Sequence, residues 1–169
     1  HDLLQITFAT DWKAQAEQGG FYQALASGKY LEKGLDVKII QGSANINIPR
    51  LLASSSIDFG MGSNSFIPMN MVANNIPGKA VMAVFQKDPQ IIMTHGDNNI
   101  NSIDDINDLP IMIADASIGG FWLWLKSKYN FNDSQIRKKT ISLAPFLKDV
   151  SAIQQGYLTS EPYLFEQIT

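Results

Sequence analysis

Five short stretches of this chain gather small, hydroxyl and amide residues: Thr10-Asp11-Trp12, Gln41-Gly42-Ser43-Ala44-Asn45, Gly62-Ser63-Asn64-Ser65, Asp115-Ala116-Ser117-Ile118-Gly119 and Thr159-Ser160-Glu161. Residues of these types present short polar side chains and accessible backbone N–H groups, the chemistry of holding a small polar molecule by hydrogen bonds. The candidate ligand-binding residues within them are Asp11, Trp12, Ser43, Asn45, Ser63, Asn64, Ser117 and Glu161, joined by the aromatic Phe21 and Trp122. Trp12, beside a carboxylate, offers a flat stacking surface; a tryptophan at this point serves equally as core. Of Phe21-Tyr22, Phe21 is the better spaced from Trp12 to share that wall. Glu161, just before Pro162, can accept from an amino group or ring N–H, or it can sit at a helix start and meet the dipole there. Each loop taken alone also reads as ordinary capping and turn chemistry. What points to a ligand is that the loops coincide with predicted strand ends.

Covalent and acid–base chemistry is poorly provisioned. The chain has no Cys, and its histidines are His1 and His95, the latter in a polar loop where a solvated ring is expected. No Ser-His-Asp or metal-ligand spacing accompanies them. Asp58-Phe59-Gly60 matches a kinase triplet, but the glycine-rich loop, strand lysine and catalytic loop are missing, so a strand start is expected there. No catalytic residue, metal or cofactor is therefore expected, and an enzyme would have only Asp11 and Glu161 as acid–base groups.

Composition narrows the partners. A net charge of −3 gives no reason to expect nucleic acid. The only arginines, Arg50 and Arg137, argue against an extended oxyanion-binding surface. At 169 residues and 45% hydrophobic content the chain can build a real core, and no apolar run reaches the length of a membrane span. It opens at His1 with a strand pattern already under way, as a mature or trimmed chain without its signal peptide would.

The elements that position the loops alternate from the start. Leu4–Ala9 alternates as a strand; residues 16–29 place Ala16, Gly20, Ala24 and Ser27 on one small-residue helical face; Gly28 and Gly34 mark the helix end and the turn into strand Val37–Ile40. Asn47 caps a short helix over Pro49–Ser54, Ile57–Met61 is a third strand, 65–74 a helix and Ala80–Phe85 a fourth strand. After Lys87-Asp88-Pro89, strands are expected at Ile91–Thr94, Ile111–Ala114, Thr140–Leu143 and Tyr157–Ser160, with a helix from Ser117 to about Tyr129. On that helix Phe121, Trp124 and Leu125 form the core stripe, leaving Trp122 to reach a cleft mouth. Alternating strands and helices predict an α/β fold with mainly parallel sheets, in two lobes, 1–87 and 88–169.

The Asp11-Trp12 pair after the first strand, Gly28-Lys29-Tyr30-Leu31-Glu32-Lys33-Gly34-Leu35-Asp36-Val37, Ile57–Gly62, Phe85–Pro89 and Gln155–Pro162 together resemble the NMT1/THI5-like family of ABC-transporter substrate-binding proteins. The resemblance implies a periplasmic-binding-protein type II-like fold of two α/β lobes, with the second lobe and the return segment incomplete here. It implies a periplasmic protein that captures a small metabolite such as a thiamine-pyrimidine precursor and delivers it to a membrane permease. It also tips Glu161 toward a ligand role. The family's yeast pyrimidine-synthase branch uses a Cys-rich motif, so that activity does not carry over to a chain without Cys. A menaquinone-pathway-like enzyme on the same scaffold and a sulfonate- or nitrate-type binder are the alternatives. An incomplete lobe leaves a strand edge and an apolar face uncovered, which predicts a homodimer covering them.

Overall fold

Ile6, Phe8 and their neighbours alternate along Leu4–Ala9, and this segment forms β1, whose buried end is Phe8 and Ala9. In the computed structural model, which describes residues 2–168, β1 is the middle strand of a parallel sheet of order β2-β1-β3, with β2 at Leu35–Ile40 and β3 at Phe59–Gly60. The β1–β2 ladder runs from Leu4↔Leu35 to Ala9↔Ile40, whereas β3 contributes only Phe8↔Phe59 and Ala9↔Gly60. Parallel neighbours need crossovers. These are supplied by a 3₁₀ turn at Ala16–Gln18 with α1 (Gly19–Ala26) and α2 (Lys29–Glu32), then by α3 (Ile48–Ala53), with α4 (Phe66–Ala73) following β3. The single helix expected over 16–29 is thus divided: Gly28 takes φ 71°, left-handed backbone that ends one helix and begins the next. Asn47 caps α3 as expected, its Oδ1 accepting from the Arg50 amide at 3.0 Å. Ala9, Ile48 and Ile57 form the core, with Ile40, Leu51 and Leu52 against it.

The strand expected over Ala80–Phe85 is not formed. That stretch is irregular and open, with Val81 and Met82 76% and 67% exposed. Its β propensity is real, but a strand needs a ladder, and β3 pairs over two residues only.

This first unit ends at Gln86 and a second begins at Lys87. The second sheet has the order β4-β7-β5-β6, from β4 (Gln90–Thr94), β5 (Ile111–Ile113), β6 (Ile136–Lys138) and β7 (Ile153–Tyr157). β5 runs parallel to β6 and β7, and β4 antiparallel to β7. The helices are α5 (Asp115–Ser117), α6 (Leu123–Tyr129), α7 (Ala144–Lys148) and α8 (Glu161–Glu166). Ile106, Ile111, Ile113, Trp122, Leu125, Phe131 and Ile153 make its core.

Two strands are displaced from their expected places. Ile136–Lys138, not Thr140–Leu143, pairs with β5, and the last strand ends at Tyr157 where it was expected to begin, because Ser160 turns back to donate to the Tyr157 carbonyl. The aromatic assignment on α6 is reversed as well. Ile118–Trp122 forms a π turn between α5 and α6. The wider turn changes the angular register, so Trp122 and Leu125, three residues apart, share the buried face, while Trp124 is 39% exposed.

Candidate functional site

In the first unit the three strand ends are tied together by side chains. The buried Thr10 hydroxyl donates to the Trp12 carbonyl at 2.8 Å and accepts from the Gly42 amide at 3.0 Å. Gly42 allows this approach: a Cβ there would lie 2.5 Å from the Trp12 nitrogen and 2.6 Å from the Asp11 carbonyl carbon. Gln41 adds a further tie, its Oε1 accepting from the Ala14 amide at 3.1 Å. Trp12 is half-buried beside this junction.

Asp11 turns inward. Its buried carboxylate accepts from Gln18 Nε2 at 3.1 Å and from the Ser63 hydroxyl. Burial pushes its pKa above the ordinary carboxylate range, the Gln18 and Ser63 hydrogen bonds pull it down, and the charge of buried Glu17 pushes it up. Asp11 and Ser63 are therefore brought together, but the carboxylate is engaged with protein donors and is not a free ligand acceptor. Phe21 is half-buried with its ring 4.6 Å from that of Phe8, so it packs on β1. Asn64 Oδ1 accepts from the Phe66 amide at 3.0 Å at the start of α4. Ser43 and Asn45 are exposed in the loop after β2. Gln18 escaped the sequence reading. Its signal was a pair of polar residues, Glu17-Gln18, in a segment read as a small-residue helical face, and both are buried.

In the second unit Ser117, at the end of α5, is buried with its Oγ accepting from Gln155 Nε2 at 2.7 Å. Gln155 also accepts from the Ala114 amide at 3.0 Å and donates to Gln90 Oε1. Gln155 entered the sequence reading only within a family-like stretch, not as a site residue, because its partners Gln90, Ala114 and Ser117 lie 38 to 65 residues away.

Besides Asp11, two further expected ligand residues are corrected. Trp122 is wholly buried, packs on Phe131 and donates from Nε1 to Asp133 at 2.9 Å; it is core. Glu161 is buried at the first position of α8, where Oε1 meets Lys139 Nζ at 3.1 Å and Oε2 accepts from the Tyr157 amide at 2.7 Å and the Ser160 hydroxyl at 2.9 Å. The helix-start alternative holds, with a buried cation added. The bare backbone of Gly156 makes room, since a Cβ there would come 3.1 Å from the Glu161 carboxyl carbon. His95 is not a solvated ring either: it stacks on Phe146 at 4.2 Å, its Nε2 2.8 Å from the Phe146 carbonyl.

A half-open cavity of about 590 Å³ in the second unit is lined by Met112, Arg137, Lys138, Pro145 and Asp149 among others, and by none of the ten candidate residues. Among the described residues, no three His, Asp or Glu side chains converge as a metal ion would require, and no helix is long and apolar enough to cross a membrane.

The profile of the NMT1/THI5 like family matches residues 15–127. No curated protein matches the chain. Among solved structures, the periplasmic aliphatic sulphonate binding protein SsuA from Escherichia coli is similar, with a TM-score of 0.56 and 12% sequence identity. The match covers 99% of this chain and 54% of that one, so the chain spans about half the length of that protein. The likeness shows the fold: mixed α/β with mainly parallel sheets, of the type II periplasmic-binding-protein kind.

Proposed function

This chain belongs to the NMT1/THI5-like family, and from that membership we propose that it is the solute-binding part of an ABC importer. It takes a small nitrogenous ring compound, of the thiamine-pyrimidine-precursor kind, and passes it to a membrane permease from the periplasmic side. The observation that carries the reading is the cluster at the C-terminal ends of β1, β2 and β3: half-buried Trp12 beside the Ser43–Asn45 and Ser63–Asn64 loops. Open parallel sheets bind ligands at such ends. An indole can stack on a flat heterocycle, while hydroxyls and amides satisfy its ring nitrogens. A binding protein returns its ligand unchanged, and turnover of the ligand is the outcome that separates this reading from an enzyme on the same scaffold.

Titration calorimetry and thermal shift with 4-amino-5-hydroxymethyl-2-methylpyrimidine, taurine and nitrate test this. Stabilisation by the pyrimidine, lost by about 1 kcal/mol or more of binding energy in Trp12→Ala, is expected. Stabilisation by taurine or nitrate alone would favour the anion-binding alternative. Conversion of the pyrimidine to a product would favour an enzyme.

A further inference from the structure

The buried polar groups at the end of β1 are arranged around one side chain. Asp11 is 9% exposed and receives Gln18 Nε2 at 3.1 Å and the Ser63 hydroxyl. Gln18, itself 1% exposed, reaches back with Oε1 to the Gln15 amide at 3.1 Å, which closes the 3₁₀ turn. Ser63 lies in the loop between β3 and α4, more than 50 residues further along the chain. One carboxylate thus joins the β1 end, the turn before α1 and the loop after β3. Trp12 follows it directly, with its carbonyl held by Thr10.

We propose that Asp11 is a positioning residue: its carboxylate clamps Gln18 and Ser63 to the end of β1, and this clamp fixes both the Trp12 ring and the Ser63–Asn64 loop in the places that ligand binding requires. The proposal rests on the binding reading above for its consequence, and on unit-internal geometry for the clamp itself. The carboxylate acts through its neighbours and does not touch the ligand. Its acceptor lone pairs are directed at protein donors, and the half-buried Trp12 follows it directly in the chain. A carboxamide can serve the same clamp. An asparagine would accept from Gln18 through Oδ1 and donate from Nδ2 to the Ser63 oxygen. A leucine of similar size can do neither.

Hydrogen exchange on the full chain without ligand tests the clamp. Asp11→Leu is expected to speed exchange at Gln15–Gln18 and at Gly62–Ser65 together, by roughly tenfold, with the β1–β2 ladder unchanged. Asp11→Asn is expected to restore both segments. The Trp12 indole N–H resonance, assigned with Trp12→Phe, should shift in Asp11→Leu and return in Asp11→Asn. Wild-type exchange in both segments of Asp11→Leu would overturn the proposal, as would failure of Asp11→Asn to restore them. If Asp11→Leu does not fold, Ser63→Ala decides, since it removes one arm of the clamp. Faster exchange confined to Gly62–Ser65 supports the clamp, and unchanged exchange there refutes it. With 4-amino-5-hydroxymethyl-2-methylpyrimidine as probe, Asp11→Leu should lose affinity about as Trp12→Ala does, and Asp11→Asn should keep it. A wild-type chain that ignores this probe would count against the ligand reading alone, because the exchange result judges the clamp without it.

Discussion

Gln155 Nε2 donates to the Ser117 hydroxyl at 2.7 Å, linking β7 to the end of α5 between two buried side chains. The direction of this bond has a consequence for Ser117. Because its oxygen is the acceptor here, the hydroxyl proton is not used in this bond. Gln155 meanwhile uses its carbonyl on the Ala114 amide at 3.0 Å, so one amide sets both the backbone entering α5 and the hydroxyl at its end.

Replacing Gln155 by leucine should therefore cost the second unit more than an average surface change. The Ala114 N–H would lose its acceptor inside the protein, and Ser117 would lose its donor. Each buried group left without a partner costs about 1–3 kcal/mol, so a loss on the order of 2–4 kcal/mol is expected. Urea unfolding measures it directly. A change below about 0.5 kcal/mol, the scale of an ordinary surface substitution, would mean that water or a neighbour replaces the amide without penalty.

The elements around these groups were legible where the cause is local. Alternation marked Leu4–Ala9, Asn47 ahead of Pro49 marked a cap, and Gly28 and Gly34 marked left-handed turns, observed at φ 71° and 76°. The strand-end loops of the first unit were legible as well, since small and amide residues punctuate the strand pattern there, whereas 115–119 proved helical and Glu161 opens a helix. What could not be read depends on other parts of the chain. Trp122 and Trp124 exchange places because a π turn alters the helical register, which an even 100° periodicity does not anticipate. Gln155 meets Gln90, Ala114 and Ser117, and Lys139 meets Glu161, across separations of 22 to 65 residues. At Ala80–Phe85 local propensity was present, but no strand offered a ladder.

Asp11 gives a pH signature whose sign follows from its surroundings. Burial is the largest influence and raises its pKa, so the folded chain holds that proton more tightly than the unfolded chain. The stabilising contribution is then complete below the ordinary carboxylate pKa and is lost as pH rises through the folded value. Asp105, Asp133 and Asp149 are shifted the other way by hydrogen bonds, and their contributions are lost as pH falls. Comparing Asp11→Asn with the wild type cancels those three. The variant should be at least as stable as the wild type near pH 7, and its advantage should shrink as the pH is lowered to about 3–4. A variant clearly less stable at neutral pH, with the gap unchanged in acid, would contradict this assignment.

Lys139 and Glu161 call for a paired experiment. Nζ and Oε1 lie 3.1 Å apart, with side chains only 8% and 7% exposed, and Tyr157 and Ser160 occupy the other carboxylate oxygen. A buried pair of this kind adds little over an apolar replacement of the same volume, because desolvation offsets the attraction. Removing one member is different, since the other is left charged and without its counterion. Lys139→Met alone should cost about 3–5 kcal/mol in urea unfolding. Lys139→Met combined with Glu161→Gln should recover most of that, because the neutral amide still accepts from the Tyr157 N–H through its carbonyl oxygen. The coupling between the two changes is the informative quantity. A double variant as unstable as the sum of the singles would mean that the two side chains act independently. A Lys139→Met cost under about 1 kcal/mol, the range of exposed pairs, would place the carboxylate in contact with water.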